Sequence, residues 1–404
     1  MRRVYPLAFT VLALASTGCG DSADPVLPPG GDTLLEPPMP GEGIQYTMTT
    51  KVQPGEEVEH CKFVKAPEEG MHVWRSTSRF SEGSHHFLLY TTPYTELPTE
   101  KDDGSAIPWI DGVEGVFDCS DGAFNGWTID GGIAGSQNPL GNDDLAGFPP
   151  GVARTVNPGV YLLMNSHYIN TTSEVLEPDV AVNLYTRPAS EVDTEGGGFF
   201  FYNIFIKAPA QGKGRARMRC EIHNDITVLN VSSHMHKRGV NFRSVDDSGF
   251  TFFETDKWEN VPIDEFEGGL EVKAGTVIDY WCDYDNASDE DVYQGPRTTD
   301  EMCMFTGDFY PADDLSGSCA WDSPVGPIPI GGDWVGNGDV SCAESMGCMA
   351  GAPSLEGITD CIDRSDPAVA EPLSDAARCF VLTSFTGQDP VEACADEIAI
   401  CSEQ

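Results

Sequence analysis

The chain has 404 residues, 40% of them hydrophobic, enough for two or three domains with sizeable cores. Its 23 basic and 65 acidic side chains leave a formal net charge of −42, spread along the whole length. A surface so negative repels phosphate backbones and argues against nucleic acid as a partner; solubility outside the cell or tolerance of salt is its plain meaning.

The chain opens on a targeting segment, residues 1–18. A basic start, MRR, leads into VYPLAFTVLALA, an apolar run too short for a comfortable membrane span, and STGC ends at Cys19. That ending reads as a bacterial lipoprotein signal with Cys19 lipidated, although Ser16 stands where leucine is usual, and plain secretion is the alternative. The expectation is an exported cell-envelope lipoprotein, periplasmic or at the cell surface, or else a secreted protein. It would touch a membrane only through its lipid anchor. Setting Cys19 aside leaves twelve of the thirteen cysteines, and an even number in an oxidising compartment predicts six disulfides. No C-x-x-C occurs, which argues against zinc ribbons and thioredoxin-like redox sites.

Residues 19–42 form a flexible Pro/Gly-rich tether. From 43 to 322, short alternating runs such as HHFLLYTT, VYLLMNSHYI and TVIDYWCDY are separated by Gly, Pro, Asn and Asp turns, and long helical stripes are missing. The fold class expected is all-β. Two tandem jelly-roll-like antiparallel β-sandwich domains cover 43–190 and 191–322, with TRPASEVDTEGGG (186–198) as the hinge. The acidic run DYDNASDEDVY (283–293) invites calcium but lacks the glycine turn of an EF-hand loop. Residues 323–340 read as a linker, and 341–404 as a small disulfide-rich helical C-terminal module. There Ser374 and Asp389 are the expected N-caps, Pro390 opens the last helix, and Cys394 and Cys401 lie two turns apart on one helix face. The module's six cysteines leave fifteen pairings open, and its own core would be marginal.

Among eight histidines, two groupings stand out: the adjacent His85 and His86 in EGSHHFLLY, and the alternating His234 and His236 in SSHMHKRG. In a strand, positions i and i+2 face the same side, so His234 and His236 lean toward one point. With His167 in NSHYIN they suggest a metal site, because imidazole is the commonest ligand for copper and zinc. Met302, in TTDEMCMF, is a core methionine when taken alone; beside two imidazoles its thioether would select copper, and Cu(I) above all.

Taken in order over residues 44–322, these segments resemble the copper type II, ascorbate-dependent monooxygenases, typified by peptidylglycine α-hydroxylating monooxygenase and dopamine β-monooxygenase. The resemblance implies two coppers per chain. His85, His86 and His167 would hold the first, in the N-terminal sandwich, where electrons enter from ascorbate or another one-electron reductant. His234, His236 and Met302 would hold the second, the catalytic one, where O₂ and a small-molecule substrate meet. A solvent-filled gap separates the two coppers in that family. The same resemblance implies the disulfides Cys61–Cys119, Cys220–Cys319 and Cys282–Cys303, which leaves the six tail cysteines to pair among themselves. His60, His72 and His223 match no ligand position and read as surface or structural residues.

The implied activity is hydroxylation of a C–H bond. Specificity departs from the peptide-amidating relatives, because Ser232, Met304 and Thr306 stand where their carboxylate clamp has arginine, asparagine and tyrosine. Asn165 likewise stands where the relatives have glutamine or glutamate. A copper-binding or copper-buffering lipoprotein without turnover is the alternative from another class, and a metal-free adhesion sandwich a third. The intact Met302 and first triad favour the enzyme, since a buffer needs only one affinity site.

Overall fold

The computed structural model describes residues 34–138, 145–323, 326–328, 331–386 and 389–403. The signal segment 1–18, Cys19 and much of the tether lie outside the described residues.

The chain is all-β with a small helical, disulfide-rich C-terminal region. Its first half pairs two five-stranded sheets. One runs, edge to edge, through Gly43–Thr49, Asp179–Thr186, Met71–Phe80, Gly151–Val156 and Val192–Glu195. The other runs through Val116–Asp118, Glu57–Lys65, Tyr161–Ile169, Ser84–Thr91 and Gly131–Ser136. Alternate residues of both sheets, among them Phe80, Phe87, Leu89, Leu162, Met164, Val182 and Leu184, close the core between them. The second sheet's outward face is also covered at one end, where Phe63, Phe117 and Trp127 pack around the Cys61–Cys119 disulfide. Tyr161–Ile169 is therefore buried on both faces, which is why its sequence does not alternate cleanly. The other end of that outward face carries His86 and His167, against the second sandwich.

The second half packs a four-stranded sheet, Gly197–Tyr202, Cys303–Tyr310, Ile226–Met235 and Asp264–Val272, on a five-stranded one. The latter runs through Thr251–Thr255, Gly239–Asp246, Val277–Asn286, Gly212–Glu221 and Asp333–Val335. Phe305 is fully buried at its centre, with Phe199, Phe201, Phe242, Phe252 and Tyr280 around it at ring separations of 5.9–6.5 Å.

Three segments differ from the sequence reading. The expected hinge is built into the first sandwich: Val192–Glu195 pairs parallel with Gly151–Val156, so the chain changes sandwich at Gly196. The expected linker supplies the edge strand Asp333–Val335, paired with Arg217–Arg219 and anchored by the buried Trp334, whose ring meets Phe205 at 4.6 Å. In the tail, Ser374 is not an N-cap but lies inside the helix Ala370–Thr386. The turn Pro367–Val369, capped by the Asp366 side chain, starts that helix earlier, and the Ser374 hydroxyl accepts the Trp334 N–H at 3.0 Å instead. Pro372 is tolerated because first-turn N–H groups have no partner within the helix.

Asp389 does receive the Val391 and Glu392 N–H groups, at 2.9 and 3.2 Å. The last helix, however, breaks at Cys394, so Cys394 and Cys401 do not share one continuous face: Pro390–Ala393 and Ala395–Ser402 are separate helices. The tail pairs Cys342–Cys401, Cys348–Cys361 and Cys379–Cys394. Its own cluster is small, and Ile362 and Ala377 pack into the second sandwich's core instead.

Candidate metal centre

Adjacent residues of a strand normally point to opposite faces, which makes two neighbouring histidines a poor pair of ligands. A β-bulge removes the difficulty. Ser84 pairs with Tyr168 and His86 with His167, so His85 is an extra residue on its strand, free to turn toward the same side. The rings then stand close: His85–His86 5.7 Å, His85–His167 5.4 Å and His86–His167 5.0 Å between centroids. One nitrogen from each lies within 4.8 Å of the others.

On the second sandwich His234 faces Met304 across the pairing with Cys303–Tyr310, and Met235 faces Cys303. The pairing ends there, with His236 just past the end of Ile226–Met235 and Met302 just before the start of Cys303–Tyr310. Directly opposed residues of an antiparallel pair share a face. Met235, Cys303 and Phe305 point into the core, so His234 and Met304 belong to the outward side, where the His236 ring stands beside His234. The backbone at Met302 is fixed by Tyr284, whose hydroxyl donates to its carbonyl at 2.9 Å, and by the Cys282–Cys303 disulfide next door. The two acidic residues before it hold the histidines. The Asp300 carbonyl accepts from His236 Nδ1 at 3.2 Å, and the fully buried Glu301 carboxylate accepts the backbone N–H groups of His236 and Arg238 at 3.3 and 2.9 Å. Burial pushes Glu301 up to about 7 despite Arg238 beside it.

Proton placement leaves these imidazoles ready for a metal. His167 donates from Nε2 to Glu57 Oε1 at 3.1 Å, and its Nδ1 is buried without a partner. His236 donates from Nδ1, and its Nε2 is buried without a partner; His234 donates from Nδ1 to Gln137 Oε1 at 2.7 Å. His85 Nε2 and His86 Nδ1 are likewise buried and unpartnered. Buried nitrogens normally find hydrogen bonds, and the converging, unpartnered nitrogens of His85, His86 and His167 are what a cation would satisfy. Burial also lowers the imidazole pKa values, to about 4 for His85 and His236 and well below the usual 6.5 for His86 and His234, so their lone pairs are free at neutral pH. Glu57 is held down at about 2, first by its bond with His167. Neutral imidazole nitrogens of this kind suit copper or zinc.

The two histidine groups are not separated by the gap that the resemblance implies. His86 and His234 stand 5.8 Å apart between centroids, and His234 and His236 5.2 Å, so five imidazoles form one array across the contact between sandwiches. That contact is tied on both sides. Gln137 of the first sandwich bonds His234 and also donates to the Ser233 carbonyl at 2.5 Å. Glu57 accepts from both the backbone and hydroxyl of Thr298, at 2.7 and 3.0 Å. Trp258 of the second sandwich packs 6.2 Å from His85.

At the clamp positions, Ser232 donates to the Pro262 carbonyl at 2.9 Å, and Met304 and Thr306 bring no charge. Asn165 points to Glu59 at 2.9 Å and lies against the Cys61–Cys119 sulfurs. The body disulfides are Cys61–Cys119, Cys220–Cys319 and Cys282–Cys303, the three pairs that the resemblance implies. His60, His72 and His223 lie outside the array, each bonded to a serine or threonine hydroxyl. Glu57, Gln137 and Trp258 carried no sequence signal, being far along the chain from the histidines they meet. Glu301 did carry one, as the acidic residue before Met302.

No family model and no curated protein matches the chain. One match among solved structures, "Structure of infectious bursal disease virus Gx strain", is 10% identical, covers 69% of this chain and 72% of that one, and has a TM-score of 0.13. So slight a likeness carries no argument.

Proposed function

We propose that the chain is an exported copper-dependent monooxygenase that hydroxylates a C–H bond of a small molecule with O₂ and a reductant such as ascorbate. The observation that carries this reading is the cluster of His85, His86 and His167 nitrogens, largely unpartnered, with the His234 and His236 rings next to it. His85, His86 and His167 would hold one copper and His234, His236 and Met302 the other, on a protein anchored through Cys19. Bound copper supplies the one-electron steps and oxygen reduction that such a hydroxylation needs. The chain's own part is positional. Glu57 accepts a hydrogen bond from His167 Nε2–H and so leaves Nδ1 free to bind; Gln137 and the Asp300 carbonyl do the reverse for His234 and His236. Without a cation at Ser232, Met304 or Thr306, a neutral substrate is expected rather than a peptide carboxylate.

Met302→Ile should abolish ascorbate-dependent O₂ uptake while the fold stays, because the volumes are similar and such swaps cost less than about 1.5 kcal/mol. His167→Ala should slow reduction and leave copper at the other set. Full O₂ consumption by Met302→Ile would return Met302 to the core. The contiguity of the five imidazoles favours one other reading, a copper-holding lipoprotein without turnover. Two bound coppers with no O₂ uptake on any of phenethylamines, peptides and small neutral compounds would decide for it.

A further inference from the structure

Met304 is buried, yet it packs into none of the hydrophobic clusters among the described residues, although its neighbours Cys303 and Phe305 are both core. It faces outward, directly opposite His234 in the strand pairing, and Tyr202 flanks it on the other side. Met302 lies two residues before Met304, just outside the strand, as His236 lies just past the end of the facing one. In a directly opposed pair such as His234 and Met304 the cross-strand Cβ atoms are about 4.5–5.5 Å apart. An unbranched thioether with three rotatable bonds reaches across that distance.

We propose that Met304 supplies a second thioether to the His234/His236 site, making it a four-donor site for a soft monovalent cation, Cu(I). This rests on copper binding at that pair. Two neutral imidazoles and two thioethers carry no charge and are polarisable, a donor set that favours Cu(I) over Cu(II) and over zinc. It also gives the methionine at a clamp position a task other than lining a substrate pocket.

The test compares the full chain with Met302→Ile, Met304→Leu and the double variant, each loaded with Cu(I) alone under ascorbate. Copper-edge X-ray absorption counts sulfur donors, and competition with a bicinchoninate chelator gives affinity. With two coppers per chain, about one sulfur per copper is expected in the wild type, about half in either single variant and none in the double. Each single variant should lose about tenfold or more in Cu(I) affinity, with Cu(II) affinity less changed. Met304→Leu keeps apolar volume, and unchanged circular dichroism separates ligand loss from misfolding. A wild-type count of half a sulfur, unchanged in Met304→Leu, would overturn the second thioether and leave the monooxygenase reading intact. No copper at His234 and His236 in any variant would overturn both.

Discussion

His60 shows what a histidine does in this fold when no metal chemistry claims it. Buried, and bonded through Nδ1 to the Thr50 hydroxyl at 2.7 Å, it is kept neutral because burial disfavours the cation more than Asp118 and Glu56 support it. Its folded pKa is below the 6.5 of the free side chain, so between those values the unfolded chain binds the extra proton and stability falls as pH drops below about 6.5. His60→Gln should flatten that part of the stability curve below about pH 6.5, read as denaturant midpoints at matched metal content. An unaltered slope would mean that His60 titrates alike in both states. His167 contrasts with it, because its Nε2 proton is committed to Glu57 and the other nitrogen has nothing to bond. Glu57→Ala should therefore weaken copper binding at the three-histidine set by about 10–100-fold, the usual cost of losing a partner that orients a ligand. Thr298→Val, which removes only a hydroxyl contact to the same carboxylate, should leave that affinity within threefold or so. Equal losses in both would make Glu57 a strut between sandwiches rather than a partner of His167. The six residues proposed as donors stood out in the sequence because their chemistry is scarce and their order is informative. Glu57 was not, because a glutamate 110 residues from its histidine looks like any other of the acidic side chains.

Strand pairing decides what the local sequence cannot. Alternation alone sends His85 and His86 to opposite faces, and only the register shift against Tyr161–Ile169 brings them together. The same limit explains the tail. Ser374 has an N-cap's residue type, but tertiary contact with Trp334 and an earlier start at Asp366 override it, and Trp334 turns an apparent Gly-rich linker into a strand by burying an indole. By contrast, the all-β class was plain from period and turn residues, since both are local. The disulfide Cys282–Cys303 belongs to this scale because it locks the strand that presents Met302 and Met304 to the one behind it. It spans 21 residues, a loop whose closure is worth about 3 kcal/mol. Replacing both cysteines with alanine should lower the guanidinium midpoint accordingly and weaken Cu(I) binding at the His234/His236 set, with the first triad unaffected. If stability fell and Cu(I) affinity did not, the strand would hold its methionines without the bridge.

At the level of the whole molecule, each proposed ligand set lies within one sandwich, yet the imidazole array exists only while the sandwiches meet. Arg154 is the charged clasp of that meeting. From the strand Gly151–Val156 it donates to Asp308 at 2.6 Å and to the Gly197 carbonyl at 2.9 Å, and Asn230 holds the other Asp308 oxygen at 2.9 Å. A net charge of −42 opposes the contact, because two acidic bodies repel one another most strongly at low salt. Arg154→Ala removes a cation from the interface and leaves a half-buried carboxylate with one partner, a loss of about 1–3 kcal/mol. Copper affinity at each set should barely change, since neither loses a ligand. What should change is the distance between sets: the scattering radius should grow at low ionic strength, and dipolar broadening between the two Cu(II) ions should weaken in paramagnetic resonance. Added salt should restore both toward the wild-type values by screening the repulsion. If broadening and radius stayed at wild-type values in low salt, Gln137 and the Glu57–Thr298 bonds would suffice to hold His86 beside His234, and Arg154 would be an ordinary interface pair.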